Sequence, residues 1–147
     1  MDEMLTTLDT GQIMKALPHR FPFLMVDRIE EIKRNTYVKG YKNISINEPW
    51  AQGHFPEQPI FPGVMVIETM TQIGGFAFYD ESSQTNHLKG YLVKVDKVKL
   101  VKKVVPGDCM KVTGDVIIKV DRMAQVKCTA TVNGKMVALG VLTYAFE

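Results

Sequence analysis

The sequence predicts an α+β fold in which an antiparallel sheet of about six strands curls around one long buried helix. Two observations carry that expectation. The stretch Val64 to Asp80 is apolar on every helical face, through Val64, Met65, Val66, Ile67, Met70, Ile73, Phe76, Ala77 and Phe78, and a helix apolar all round is a buried one. Most of the chain from Gly90 onward alternates apolar and polar residues, the period of a half-buried strand. Such a helix needs more cover than one small sheet supplies, and a second copy of the chain is the simple remedy.

Asp9 or Thr10 caps a short helix with Ile13, Met14 and Leu17 on one side, and Pro18 ends it. Phe23 to Ile32 and Thr36 to Ile44 read as strands joined by a turn at Arg34-Asn35. Ser45 to Pro62 is too rich in proline, glycine and polar residues for regular structure, and connections that long are usually functional or disordered. Pro62-Gly63 opens the helix. Gly74-Gly75 inside it costs about 1 kcal/mol per glycine, which makes sense if another backbone approaches there. A polar loop, Glu81 to His87, leads into strands at Gly90 to Leu100, Cys109 to Lys119, Gln125 to Val132 and Met136 to Phe146. Asn133-Gly134 is a strong hairpin signal. The last strand is nearly all apolar, so cover on both faces is expected.

Composition limits the function classes. The 147 residues, 46% apolar and 23% charged, suit a single globular domain over 1–147. A net charge of +2 is too small for a nucleic-acid binder. No apolar run reaches the roughly 20 residues of a membrane span. Met1 to Thr10 lacks the basic and apolar regions of a secretory signal, so a cytoplasmic location is expected. Cys109 and Cys128 show no metal-ligand spacing and read as free thiols. No metal or cofactor is expected.

Three prolines, Pro56, Pro59 and Pro62, stand just before the apolar helix. They stiffen the segment that presents His54, as a fixed catalytic base requires, and a neutral imidazole accepts a proton near pH 7. A surface histidine is the plainer alternative. Glu68 is the one charge of the helix. A carboxyl buried without a cation tends to keep its proton and is then a general acid; a Glu held in a polar network is the alternative. The amides that open the helix at Gly63 and Val64 carry about half a positive charge and polarise a carbonyl oxygen. Together these parts suit removal of a proton α to a carbonyl, with protonation of a leaving group at the next carbon.

His19-Arg20-Phe21-Pro22-Phe23-Leu24-Met25-Val26-Asp27-Arg28, Asn47-Glu48-Pro49, Gly53-His54-Phe55-Pro56, Pro59-Ile60-Phe61-Pro62-Gly63-Val64, then Glu68, Met70 and Gln72, and Val105-Pro106-Gly107-Asp108 resemble the 3-hydroxyacyl-acyl carrier protein dehydratase family of the hot-dog fold. Order and spacing match over roughly residues 10 to 145. The resemblance implies dehydration of (3R)-3-hydroxyacyl thioesters to trans-2-enoyl thioesters in fatty acid biosynthesis, without a cofactor. It assigns the base at C2 to His54 and the acid toward the C3 hydroxyl to Glu68, drawn from opposite subunits of a homodimer, with three dimers commonly forming a hexamer. It places the thioester carbonyl at Gly63 or Val64 and the substrate pocket at Phe55, Phe61 and Pro62. Glu rather than Asp at the acid position marks a plain dehydratase.

Phe61, Trp50, Lys94 and Lys102-Lys103 depart from the family's usual residues, which touches chain length and pathway rather than reaction class. A hot-dog thioesterase and a non-catalytic carrier-binding module are the competing expectations. Lys94, Lys97, Lys99, Lys102, Lys103 and Lys111 form a basic stripe. It is either a solvated sheet face or a dock for an acidic carrier protein, with Lys97, Lys99, Lys102 and Lys103 the candidates and Arg20 and Arg28 weaker ones.

Overall fold

A computed structural model describes residues 5–82 and 90–147. The elements are β1 (Thr6–Leu8), α1 (Thr10–Ala16), β2 (Arg28–Lys33), β3 (Tyr37–Asn43), α2 (Gly63–Gly75), β4 (Gly90–Leu100), β5 (Cys109–Val120), β6 (Met123–Val132) and β7 (Lys135–Phe146). Short 3₁₀ turns lie at Pro49–Gln52 and Phe76–Phe78. The strands form one antiparallel sheet in the order β1-β2-β3-β5-β6-β7-β4. The helix α2 packs on β3, β5, β6 and β7, the hot-dog arrangement that the resemblance implies.

Alternation along the strands turns one face to the helix. Val38 and Gly40 of β3, Met110, Val112 and Gly114 of β5, and Ala124, Val126, Cys128 and Ala130 of β6 are buried. Burial pushes the Cys128 thiol up to about 12, as expected for an inert core cysteine. On α1, Asp9 is the cap: its side chain accepts from the Gln12 N–H while the Gln12 side chain accepts from the Asp9 N–H, a reciprocal capping box. Asn133 and Gly134 both have positive φ and turn β6 into β7.

The expected close approach at Gly74-Gly75 is present. A Cβ on Gly74 would stand 2.6 Å from Tyr144 Oη and 2.9 Å from Cys128 Sγ, and one on Gly114 would stand 3.4 Å from the Gly74 Cα. Two glycines thus let the helix axis settle onto the sheet.

Several expectations are corrected. The sheet has seven strands, because Thr6–Leu8 pairs with β2; three residues carry too little pattern to be read. The strand expected from Phe23 begins at Arg28, since Phe23 and Met25 give their backbone groups to the Gln72 side chain. The α-helix ends at Gly75, and the chain tightens into 3₁₀ before Asp80. The irregular segment from Ser45 contains a 3₁₀ turn. The helix is not buried all round: Val64 is 75% exposed, and Met65, Ile67 and Glu68 are partly open. The edge strand β4 likewise exposes Tyr91, Val93, Val95 and Leu100. The expected polar loop, Glu81 to His87, falls mostly outside the described residues. No described helix is long and apolar enough to cross a membrane.

Gly74→Ala drives a methyl into Tyr144 and Cys128. Overpacking of this kind costs about 1–3 kcal/mol, read as a lower urea midpoint with an unchanged m-value.

Candidate active site

The loop that presents His54 is closed by its own backbone. The His54 N–H donates to the Trp50 carbonyl at 3.0 Å, and the Ile60 N–H donates to the His54 carbonyl at 2.8 Å. Between them, Phe55 and Gln58 exchange N–H···O bonds of 3.3 and 3.0 Å. Pro56 and Pro59 fall where no amide donor is used. His54 Nδ1 lies 2.8 Å from the Ile60 carbonyl oxygen. A carbonyl only accepts, so Nδ1 carries the proton and the neutral ring keeps its lone pair on Nε2. The ring stacks on Phe55 at 4.3 Å between centroids.

An ion pair between a buried lysine and a partly buried glutamate anchors this loop. Lys42, on β3, is 6% exposed; its Nζ donates to Glu48 Oε1 at 2.7 Å and sits 5.6 Å over the Phe61 ring. Glu48 Oε2 accepts from the Ser45 N–H at 2.7 Å. Phe61 packs edge-on to Trp50, and its N–H donates to the Val104 carbonyl at 2.8 Å. The pair thus fixes both ends of the segment.

Glu68 faces a cavity of about 230 Å³, whose walls include His19, Phe23, Gln72, Tyr91, Tyr144 and Phe146. Its Oε2 accepts from Gln72 Nε2 at 2.7 Å. The same Nε2 donates to the Phe23 carbonyl at 2.8 Å, and Gln72 Oε1 accepts from the Met25 N–H at 2.8 Å. One buried amide therefore ties the carboxyl to the loop before β2. Tyr144 donates to the Thr71 carbonyl at 2.7 Å. Burial holds its hydroxyl well above the ordinary range, with Cys128 and Glu68 adding to the effect.

At the helix start, the Met65 and Val66 N–H groups bond the Pro62 carbonyl. The N–H groups of Gly63 and Val64 are first-turn donors with no acceptor inside the helix. A Cβ on Gly63 would meet Leu100 Cδ1 at 2.5 Å. Gly63, Phe61, Leu100, Lys102 and Lys103 surround a second cavity of about 240 Å³.

Within one chain the two catalytic candidates stand apart. His54 is not on the wall of the Glu68 cavity, and no hydrogen bond or ion pair joins them among the described residues. Phe61 and Pro62 are buried and Phe55 is 53% exposed; none of the three lines that cavity. Lys97, Lys99, Lys102 and Lys103 are exposed, whereas Lys94 pairs with Asp96 and Lys111 with Glu30. Arg20 is exposed, and its guanidinium donates to the main-chain carbonyls of Met14, Leu17 and His19. Sequence reasoning gave no role to Gln72 or His19. A glutamine four residues after the only charge of α2 lies on the same face, and that was the available signal.

Residues 17–140 match the FabA-like domain. The chain belongs to this family. Relatives include 3-hydroxyacyl-[acyl-carrier-protein] dehydratases FabZ from Sorangium cellulosum (42% identity, 91% of this chain and 87% of the relative) and from Caldicellulosiruptor saccharolyticus (40% identity, 95% and 99%). Among solved structures, similarity extends to the dehydratase heterocomplex ApeI:P from Xenorhabdus doucetiae (TM-score 0.71, 14% identity, 92% of this chain and 90% of that one). A hypothetical thioesterase with coenzyme A from Streptococcus pneumoniae shares the fold at TM-score 0.61 and 14% identity, over 81% and 84% of the two chains. At such identities the shared feature is the fold alone.

Glu48→Ala leaves the Lys42 ammonium buried without its partner in this FabA-like chain. Losing one member of a fully buried pair costs about 3–5 kcal/mol; with Glu48 partly open and Lys42 still bonded to the Asn43 carbonyl, a loss below that range is expected, measured by chemical denaturation.

Proposed function

We propose that this FabA-like chain dehydrates 3-hydroxyacyl groups carried on acyl carrier protein to trans-2-enoyl groups, in fatty acid or related acyl-chain synthesis in the cytoplasm. The observation that carries the proposal is the pair of prepared groups. One is an imidazole whose Nδ1–H is committed to Ile60. The other is a carboxyl held by Gln72 at the wall of a largely apolar cavity. The names of its relatives support the same chemistry.

In this mechanism the thioester carbonyl lies against the Gly63 and Val64 amides, which stabilise the charge that grows on its oxygen. His54 Nε2 takes a proton from C2. The electron pair of that C–H bond forms the C2–C3 double bond as the C3–O bond breaks. Glu68 gives its proton to the departing hydroxyl, and water leaves. Because His54 and Glu68 do not meet within one chain, each site joins the His54 of one copy to the Glu68 of a second. The exposed apolar residues of α2 and β4 are the surface such a homodimer would cover; a hexamer of three dimers extends the same arrangement. The exposed Lys97, Lys99, Lys102 and Lys103 receive the acidic carrier, and the last two flank the cavity at the helix start.

With 3-hydroxybutyryl carrier protein, enoyl product is expected; free thiol without enoyl product would overturn the reaction assignment. His54→Ala and Glu68→Ala should each lose about 10²–10⁴ in rate. A subunit-exchanged equal mixture of the two inactive variants should recover about a quarter of wild-type activity, because half the dimers are mixed and each has one intact site. No recovery would place both residues in one chain's site. Reversing Lys97 and Lys99 to glutamate should raise KM for the carrier-bound substrate more than for a short synthetic thioester, and equal effects would remove these lysines from docking.

A further inference from the structure

The loop after α1 holds a histidine to which the dehydration mechanism gives no task. His19 Nε2 stands 3.9 Å from Glu68 Oε2. Its ring stacks on Phe23, with centroids 5.9 Å apart and planes inclined by 14°. Its other nitrogen, Nδ1, is buried with no hydrogen-bond partner among the described residues. The loop is braced in this shape by Arg20, whose guanidinium donates to the carbonyls of Met14, Leu17 and His19 at 2.9, 2.8 and 2.7 Å.

Buried N–H groups are rarely left orphaned, while a lone pair is more easily left alone. The neutral ring therefore carries its proton on Nε2, facing the carboxyl. Gln72 Nε2 points at the same oxygen. Gln72 thus hydrogen-bonds Oε2 at 2.7 Å while the His19 ring faces the same oxygen from 3.9 Å; an oxygen that accepts from Gln72 keeps its acceptor role, and the transferable proton belongs on Oε1.

We propose that His19 is a positioning residue for the acid: its neutral ring presents the positive edge of Nε2–H to Oε2 of Glu68, the oxygen that Gln72 hydrogen-bonds, and so favours the proton on Oε1 for the departing hydroxyl. The proposal rests on Glu68 being that acid. Few other groups face the carboxyl. Its own helix adds the neutral Gln72, β7 adds Tyr144 bound to the Thr71 carbonyl, and β4 adds Tyr91 bound to Glu147. On the described wall of the cavity, the ionisable side chains are Glu68, His19, Tyr91 and Tyr144. An imidazolium at this distance would favour the carboxylate and so remove the acid. The working state is a neutral ring beside a protonated carboxyl.

The test is kcat/KM against pH on 3-hydroxybutyryl carrier protein for the wild type, His19→Gln, His19→Lys and Glu68→Gln. His19→Lys places a lasting cation at the wall, and its alkaline limb should move to lower pH by about one unit or more. His19→Gln keeps a neutral donor; its alkaline limb should stay in place and its acid limb should become shallower, because one protonation event is gone. The second result stands even if the lysine variant fails to fold. Equal losses of kcat with both limbs unmoved would reduce His19 to a wall and overturn the inference. Glu68→Gln separates the two failures: wild-type activity there would sink the acid assignment itself, whereas an inactive Glu68→Gln beside unmoved His19 profiles would sink only the role of His19.

Discussion

The depth at which α2 sits on the sheet governs the rest of the molecule. Gly74 lies where any side chain would strike Tyr144 and Cys128, and Gly114 faces it from the sheet. The two missing Cβ atoms let the helix descend until sheet residues can serve its backbone. Tyr144 then donates to the Thr71 carbonyl and Cys128 to the Met70 carbonyl. At that depth Gln72 reaches both Phe23 and Met25. A helix held farther out would lose those bonds, and Glu68 would lose the amide that fixes it.

The two halves of the candidate site are built by different devices. The carboxyl side hangs from the helix and one fully bonded glutamine. The imidazole side belongs to a loop whose ring and backbone bonds converge on Ile60 and whose roots are pinned by Lys42 and Glu48. Each side is braced by contacts within its own chain. Such separately braced halves suit a site assembled from two copies, because neither copy has to reorganise when they meet. The apolar residues of α2 and β4 that stay exposed follow from the same geometry: a helix apolar on nearly all sides is only partly covered by one sheet.

Much of the fold was legible because the signals were periodic or covalent. The alternation in β5 and β6, the Asn133-Gly134 turn, the Asp9 cap and the apolar helix are local properties of the chain. The elements that escaped the sequence are of a different kind. β1 is too short to show a period. Phe23 to Asp27 has strand-like composition, but its backbone is claimed by a side chain 47 and 49 residues away. The end of α2 is ambiguous in sequence because Phe76, Ala77 and Phe78 suit either an α-helix or the tighter 3₁₀ turn.

The candidate site was legible to a similar extent. His54, Glu68, Gly63 and Val64 stand out by type and by their place beside prolines or within an apolar helix. Lys42 did not, since a lysine in an alternating strand looks like a solvated one until Glu48 and Phe61 close over it. His19 and Gln72 entered only as motif residues without a role, because a polar residue gains a role from what it touches. By itself, then, the sequence determined which residues have reactive chemistry and which segments bury apolar surface. Tertiary structure alone decided which nitrogen of His54 is free, which oxygen of Glu68 is engaged, and that His54 does not line the cavity that Glu68 faces. Those outcomes depend on contacts between residues distant in the chain, and such contacts leave no local pattern.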